Sequence, residues 1–415
     1  VLFLGDSIMN TGVFPMDMWE KYGIAGYNIA SYGNTLPISY WALQNALDYA
    51  KPKLVVLDVQ GVSKSYKLSG NSSDVHTAFD CYSISKTKIE ALDDLMDDPN
   101  AVDDDGVAYV DMKWEYLFTL GKYHARWSEL TDTDFHPVYN REKGAKSVIA
   151  VADVGDYDLI DEDMATEESG QTGFVYLRKI IEDCQARGID VLLVHLPYPA
   201  NEQQQMDANA VAYIAEDYGL NYIDFVSMDQ VADYATDCFD AHEHLNPSGA
   251  RKVSDYLGRY ITEHYDVDDH RGDAAYTAWA DDAAAYREKK LADFENQSEL
   301  ASALMLLHDD DFACTVTIGA ENALFENEKL MTLMQNIARE YVFEEDLFAK
   351  WSNSLFPLEA LDEAAQSGQS YAVTINRAAG ELEETVGADV PEGVHITLSD
   401  PISGETLCEK EFFSL

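Results

Sequence analysis

Gly5-Asp6-Ser7, directly after the apolar run Val1-Leu2-Phe3-Leu4, is the first place where this chain offers a nucleophile. A serine at the carboxyl end of a buried strand sits on the sheet edge where ligands bind. Its amide can point at an oxyanion and its hydroxyl is open to a base. The tripeptide is also ordinary turn chemistry, so alone it carries no function. The second place is Asp240-Ala241-His242-Glu243-His244-Leu245-Asn246-Pro247-Ser248-Gly249. A carboxylate and an imidazole on one loop can hold each other so that the imidazole takes a serine proton. The plain reading of that loop is a helix N-cap, with Asn246 or Ser248 capping and the histidines merely exposed.

Both motifs need a scaffold. Short apolar runs at 1–4, 26–30 and 53–59 read as strands, with helical patterns at 16–22 and 37–50 between them. The rhythm returns with a helix at 174–187, a strand at 190–196, a helix at 206–218, a strand at 221–225 and a helix at 249–265. Strands alternating with helices predict an α/β fold, a doubly wound parallel five-stranded sheet over residues 1–270. Residues 63–155 interrupt it with polar loops, an acidic stretch at 97–105 and helical segments at 89–96 and 112–127, which reads as a helical insertion. An Ala-rich helical linker follows at 271–309. Residues 310–415, with strand-like runs at 313–318, 371–375 and 394–398 around a helix at 328–339, predict a smaller C-terminal α+β domain.

Taken together, the two motifs resemble the first and last sequence blocks of the SGNH/GDSL serine hydrolases. Asn28-Ile29-Ala30-Ser31-Tyr32-Gly33-Asn34-Thr35 resembles that family's second block. The resemblance covers residues 1–270 and implies the family's flavodoxin-like sheet. It implies Ser7 as nucleophile, His244 as general base and then general acid, and Asp240 as the residue that orients His244. It also implies an oxyanion hole built from the amides of Ser7 and Gly33. Two departures stand out. Asp240 lies four residues before His244 where the family has three, so the loop must bulge, and Asp237 is the fallback acid. The third block, Gly-x-Asn in the family, is Gln60-Gly61-Val62 here, so Val62 holds the Asn position. Gln60 or the Gly61 amide is the expected substitute donor. Losing one such donor outright slows acyl transfer by a factor on the order of a hundred.

Residues 51–59, the segment Tyr123-His124-Ala125-Arg126-Trp127-Ser128-Glu129-Leu130 and Arg251-Lys252-Val253 look like a narrower group. It comprises large, often membrane-anchored bacterial SGNH proteins similar to the D-alanyl transfer protein of teichoic-acid modification. That likeness implies an acylated carbohydrate or cell-envelope polymer as partner, and a place outside the cytoplasm. Asn34, His124 and Arg126 are then candidate substrate contacts, although a helix holding a satisfied Arg–Glu pair explains His124 and Arg126 equally well. His195, inside a strand, reads as a packed core histidine.

The composition narrows the choice. Across 415 residues, 28 Lys and Arg against 76 Asp and Glu give a net charge of −48. Such a surface repels nucleic acid and anionic headgroups, so neither is an expected partner. The acidity itself reads as solubility, or adaptation to a salty habitat. The spacing Asp240-x-His242-x-His244 offers three metal ligands without a fourth, so no metal and no cofactor is expected. Five cysteines, scattered and without a Cys-x-x-Cys pair, signal neither a zinc site nor a disulfide framework. A strand that opens at residue 1 without Met is read as a sign of removed upstream sequence, where a signal peptide or anchor would stand. Three functions remain in play: a serine esterase for O-acyl groups, an O-acyltransferase using the same triad, and an inactive SGNH-fold binding module. Val62 and the stretched Asp–His spacing motivate the third.

Overall fold

The fold is that of a computed structural model. It describes all residues except 63, 125–127, 136–139, 156, 168–169, 229–230, 241–243, 319–326, 338–340, 344–348, 352–370, 377–380, 387–392 and 414–415. The chain divides into two compact units. The first holds Val1–Lys146, Tyr157–Ser227 and Leu257–Trp279, and the second Ser147–Asp156, Met228–Tyr256 and Ala280–Leu415.

Five parallel strands organise the first unit: β1 (Leu2–Leu4), β2 (Tyr27–Asn28), β3 (Leu54–Asp58), β4 (Asp190–His195) and β5 (Asn221–Asp224). Their order is β2-β1-β3-β4-β5. The register sets Leu2 beside Val55 and Val55 beside Val191. Side chains alternate along a strand, so Leu2, Leu4, Val55, Leu57, Val191 and Leu193 share one face. That face is buried with Leu43, Leu177, Ile180 and Ile214 from the helices around it. Phe3, Val56 and Leu192, on the opposite face, are also fully buried. Burial on both faces is why the third strand reads as an unbroken apolar run.

The helices obey their end signals. After α1 (Ser7–Gly12), α2 (Pro15–Tyr22) starts on proline and stops at Gly23 with φ 72°. The hydroxyl of Thr35 caps α3 (Leu36–Leu47). The insertion follows as α4 (Ser72–Phe79), α5 (Lys86–Leu95), α6 (Tyr109–Leu117), α7 (Thr119–Tyr123) and α8 (Asp132–Phe135). Its small core joins Phe79, Leu92, Met96, Tyr109 and Tyr116 to Ile38 of α3. Then come α9 (Thr172–Arg187), closed by Gly188 at φ 69°, and α10 (Glu202–Tyr218), opened by an Asn201/Gln204 capping box. The helix expected at 112–127 breaks at Phe118 (φ −121°, ψ 71°), which divides α6 from α7. The second strand, expected at 26–30, is two residues long, and Asn28 turns inward. Its Nδ2 donates to the carbonyls of Met9 (2.8 Å) and Val13 (3.1 Å) instead of leaving those groups to water.

α11 (Pro247–His264) starts in the second unit and ends in the first. Beyond it lie α12 (Thr277–Glu295), α13 (Leu300–Leu306), β6 (Ala313–Ile318), α14 (Glu328–Ile337), β7 (Tyr341–Phe343), β8 (Ala349–Trp351), β9 (Tyr371–Asn376), β10 (Glu381–Val386), β11 (Val394–Ser399) and β12 (Thr406–Phe412). The antiparallel order is β10-β9-β6-β11-β12, with β7 and β8 as a separate pair. Leu304 and Met305 of α13 and Leu333 and Met334 of α14 pack with Val316, Ile396 and Leu398. This is the small C-terminal α+β sheet. Its two edge strands, Glu-Leu-Glu-Glu-Thr-Val and Thr-Leu-Cys-Glu-Lys-Glu-Phe, do not stand out in the sequence because edges carry charge where inner strands carry apolar residues. Among the described residues no helix is long and apolar enough to cross a membrane. All five cysteines are free thiols.

Candidate active site

A strand order of 2-1-3-4-5 reverses direction between β1 and β3. In open α/β sheets ligands bind at the carboxyl ends of the strands flanking that switch. Ser7 follows β1 and Gln60-Gly61 follows β3, so the fold puts both at this edge. Asp6 is the N-cap of α1, its Oδ1 accepting from the Ile8 amide at 3.0 Å. Ser7, half-buried, is the first helical residue, and its carbonyl accepts from the Thr11 hydroxyl at 2.9 Å. Lys64 Nζ stands 3.9 Å from the Asp6 carboxylate.

The second-block turn is tied to the first. Asn34 Nδ2 donates to the Gly5 carbonyl at 3.2 Å, and the side chain is buried, so Asn34 braces the Ser7 turn. Gly33 has φ 67°, and a Cβ there would fall 2.5 Å from the Asp74 carboxylate, so both backbone and space demand glycine. Burial, then the nearby Asp104, raises the Asp74 carboxyl above its ordinary value. In the third block Val62 is buried in the core with Val59 and Phe174. Gly173 of α9 lets that turn approach closely: a Cβ on it would meet the Val62 carbonyl at 2.0 Å. Gln60, half-buried, and the buried Gly61 are the residues of this block at the switch point.

His244 and Asp240 belong to the second unit, and they are paired. His244 Nδ1 lies 2.6 Å from Asp240 Oδ2, and the His244 amide donates to Asp240 Oδ1 at 3.3 Å. Phe239 stacks on the imidazole (5.3 Å between centroids, 15° between planes), and its amide donates to the His244 carbonyl at 3.0 Å. The bulge expected from the four-residue spacing falls on residues 241–243, outside the described residues. The fallback acid is engaged elsewhere, since Asp237 Oδ2 accepts from Lys252 Nζ at 2.5 Å and from the Asp233 amide at 2.8 Å. The Asp237 side chain is wholly buried, and among the described residues its Oδ1 has no hydrogen bond. Removing the lysine strands a carboxylate in the interior. Lys252→Met is therefore expected to destabilise the protein by about 3–5 kcal/mol, with most of the loss recovered in Lys252→Met/Asp237→Asn. Chemical denaturation checks both numbers.

His124 is exposed at the end of α7, its Nδ1 2.5 Å from the Gly121 carbonyl. Arg126, Trp127 and His242 lie outside the described residues. Among those described, no group of three or more His, Cys, Asp or Glu is gathered to hold a metal. His195 is a core residue with both nitrogens engaged, Nδ1 with Asp224 (2.8 Å) and Nε2 with the Tyr198 hydroxyl (3.2 Å).

Fold and site thus define an α/β protein of flavodoxin-like strand order, with a serine turn at the switch point and an Asp–His pair ahead of its last α/β helix. Neither a family model nor a curated protein sequence matches the chain. Among solved structures, a candidate acylhydrolase from Bacteroides fragilis aligns over 63% of this chain and 86% of its own, with 13% identity and a TM-score of 0.30.

Proposed function

We propose that the protein is a serine esterase that removes O-acyl groups, most simply O-acetyl, from a carbohydrate or cell-envelope polymer outside the cytoplasm. The observation that carries this reading is the 2.6 Å bond between His244 Nδ1 and Asp240 Oδ2. A carboxylate at that nitrogen keeps the proton on Nδ1 and makes Nε2 the basic nitrogen, the tautomer a serine hydrolase needs. In the reaction, Ser7 Oγ gives its proton to His244 Nε2 and attacks the acyl carbonyl. The amides of Ser7, Gly33 and Gly61, with Gln60, receive the oxyanion. Collapse breaks the ester C–O bond, and His244 returns the proton to the departing polymer hydroxyl. Water, deprotonated by the same imidazole, then releases the carboxylic acid from Ser7.

A fluorophosphonate probe tests the proposal directly. The expected product is a single phosphonyl adduct, mapped by peptide mass spectrometry to Ser7, in a protein that also releases acetate from an acetylated polysaccharide. A protein that binds such a polymer yet takes no label at Ser7 is the inactive module instead.

A further inference from the structure

Asp58 is a carboxyl that meets both halves of the switch point, and neither its strand position nor the proposed chemistry gives it a role. It closes β3 and is buried, with only 3% of its surface exposed. Its Oδ1 accepts from the Leu196 amide at 3.4 Å, and the Gln60 amide also donates to the carboxyl. An aspartate accepting from the amide two residues on is an Asx turn, and here it sets the direction of the Gln60-Gly61 run. On the other side Asp58 packs against the serine turn. A Cβ at Gly5 would lie 2.9 Å from the Asp58 Cβ and 2.7 Å from the Met9 Cβ, so the turn is clamped between β3 and α1.

We propose that Asp58 is a positioning residue for the Gly5-Asp6-Ser7 turn: its carboxyl, taking the Leu196 and Gln60 amides, fixes the loop after β3 against that turn, beside Asp6 that caps α1. This rests on the esterase reading only where Ser7 reactivity is the readout. The charged or titratable groups facing Asp58 are Asp6 after β1, Lys64 after β3 and Tyr222 of β5. Burial, then the Asp6 charge, pushes the Asp58 carboxyl well above the ordinary carboxylate range, while the two amides and Lys64 pull the other way. Ionisation sets two carboxylates against each other, with Lys64 as the compensating cation. The repulsion falls on Asp6, whose side chain holds the first turn of α1 and hence Ser7.

The linkage has a definite sign. A carboxyl raised in the native state favours folding while it is protonated. That advantage fades as pH climbs past the ordinary carboxylate value and is gone above the native one. Asp58→Asn keeps an acceptor oxygen for both amides and cannot ionise. Its Tm is expected to exceed wild type by about 3 °C near pH 8 and by less than half of that near pH 5. An Asp6→Asn background, which retains the cap, shrinks the pH-dependent part. The alkaline limb of the fluorophosphonate labelling profile should be flatter in Asp58→Asn than in wild type, the rates at its alkaline end differing by at least about threefold. If Ser7 labels but the two pH profiles superimpose, the positioning role is wrong whatever the Tm does. If Ser7 never labels, the esterase reading fails by itself, and the thermal data decide: non-additive Asp58→Asn and Asp6→Asn shifts support the clamp, and additive shifts overturn it.

Discussion

If Ser7 is the proposed nucleophile, Ser7→Ala is expected to lower kcat on p-nitrophenyl acetate by about 10⁴-fold or more, and adding His244→Ala to it should cost almost nothing further. The non-additivity follows from the chemistry. In the proposed mechanism the imidazole acts only through the serine proton, so once Oγ is gone the base has nothing to deprotonate. His244→Ala alone is expected to cost about as much as Ser7→Ala, because a neutral hydroxyl is a poor nucleophile without its base. Asp240→Asn is the finer probe. The amide preserves size but can offer its NH₂ to Nδ1, moving the ring proton to Nε2, where it blocks proton uptake from Ser7. A loss of about 10³- to 10⁴-fold is expected, entirely in kcat, with KM for the ester unchanged. A residual rate above water should survive in every variant, supplied by the amides of the proposed oxyanion hole. Single- and double-variant kinetics under saturating ester check the pattern. Additive losses at Ser7 and His244 contradict a shared proton transfer.

The scaffold was largely readable because parallel strands buried on both faces leave continuous apolar runs, and helices between them leave proline, glycine and Asx punctuation. Leu54–Asp58 and Pro15–Tyr22 are such cases. Local placement within one short segment was also readable: Ser7 opens α1 directly after β1, and Asp240 pairs with His244 on one loop. Pairings set by tertiary adjacency were not. Asp58 reads as the end of a strand, and only the neighbouring position of β1 turns it into the floor of the serine turn. The sequence favours Asp240 and keeps Asp237 as the fallback acid. What separates them is Lys252, one turn into α11, whose ammonium takes Asp237 and leaves Asp240 to the imidazole. Val62 shows the converse: its apolar character already signalled that the Asn position of the third block holds no side-chain donor, and its burial in the core agrees.

Asn246→Ala should be among the most damaging single changes in the second unit, although the residue touches no substrate. The plain reading of the loop, an N-cap, and the functional one meet in this side chain. Asn246 Oδ1 accepts from the Ser248 and Gly249 amides (3.0 and 3.3 Å) at the start of α11, which is capping. Its Nδ2 does something a cap does not require. It donates to the carbonyls of Thr236 (2.7 Å), Cys238 (3.2 Å) and Ala150 (3.2 Å), fastening the strand-like run before Asp240 from within. The side chain is fully buried, so water cannot replace these bonds. Losing a cap costs about 1 kcal/mol, and each buried group left unsatisfied about 1–3 kcal/mol. Because the losses overlap, Asn246→Ala is expected to cost about 4 kcal/mol in denaturant unfolding. In the proposed mechanism it should also slow fluorophosphonate labelling of Ser7 at least about tenfold, since the loop that carries His244 loses its anchor. Asn246→Asp separates the two roles. Aspartate caps as well as asparagine and suits a helix N-terminus, so a purely capping residue would be rescued. Here it cannot donate, and it sets a buried carboxylate against three carbonyl oxygens. It should therefore be at least as unstable as the alanine variant, and an Asp variant near wild type would show that the inward donors carry no weight.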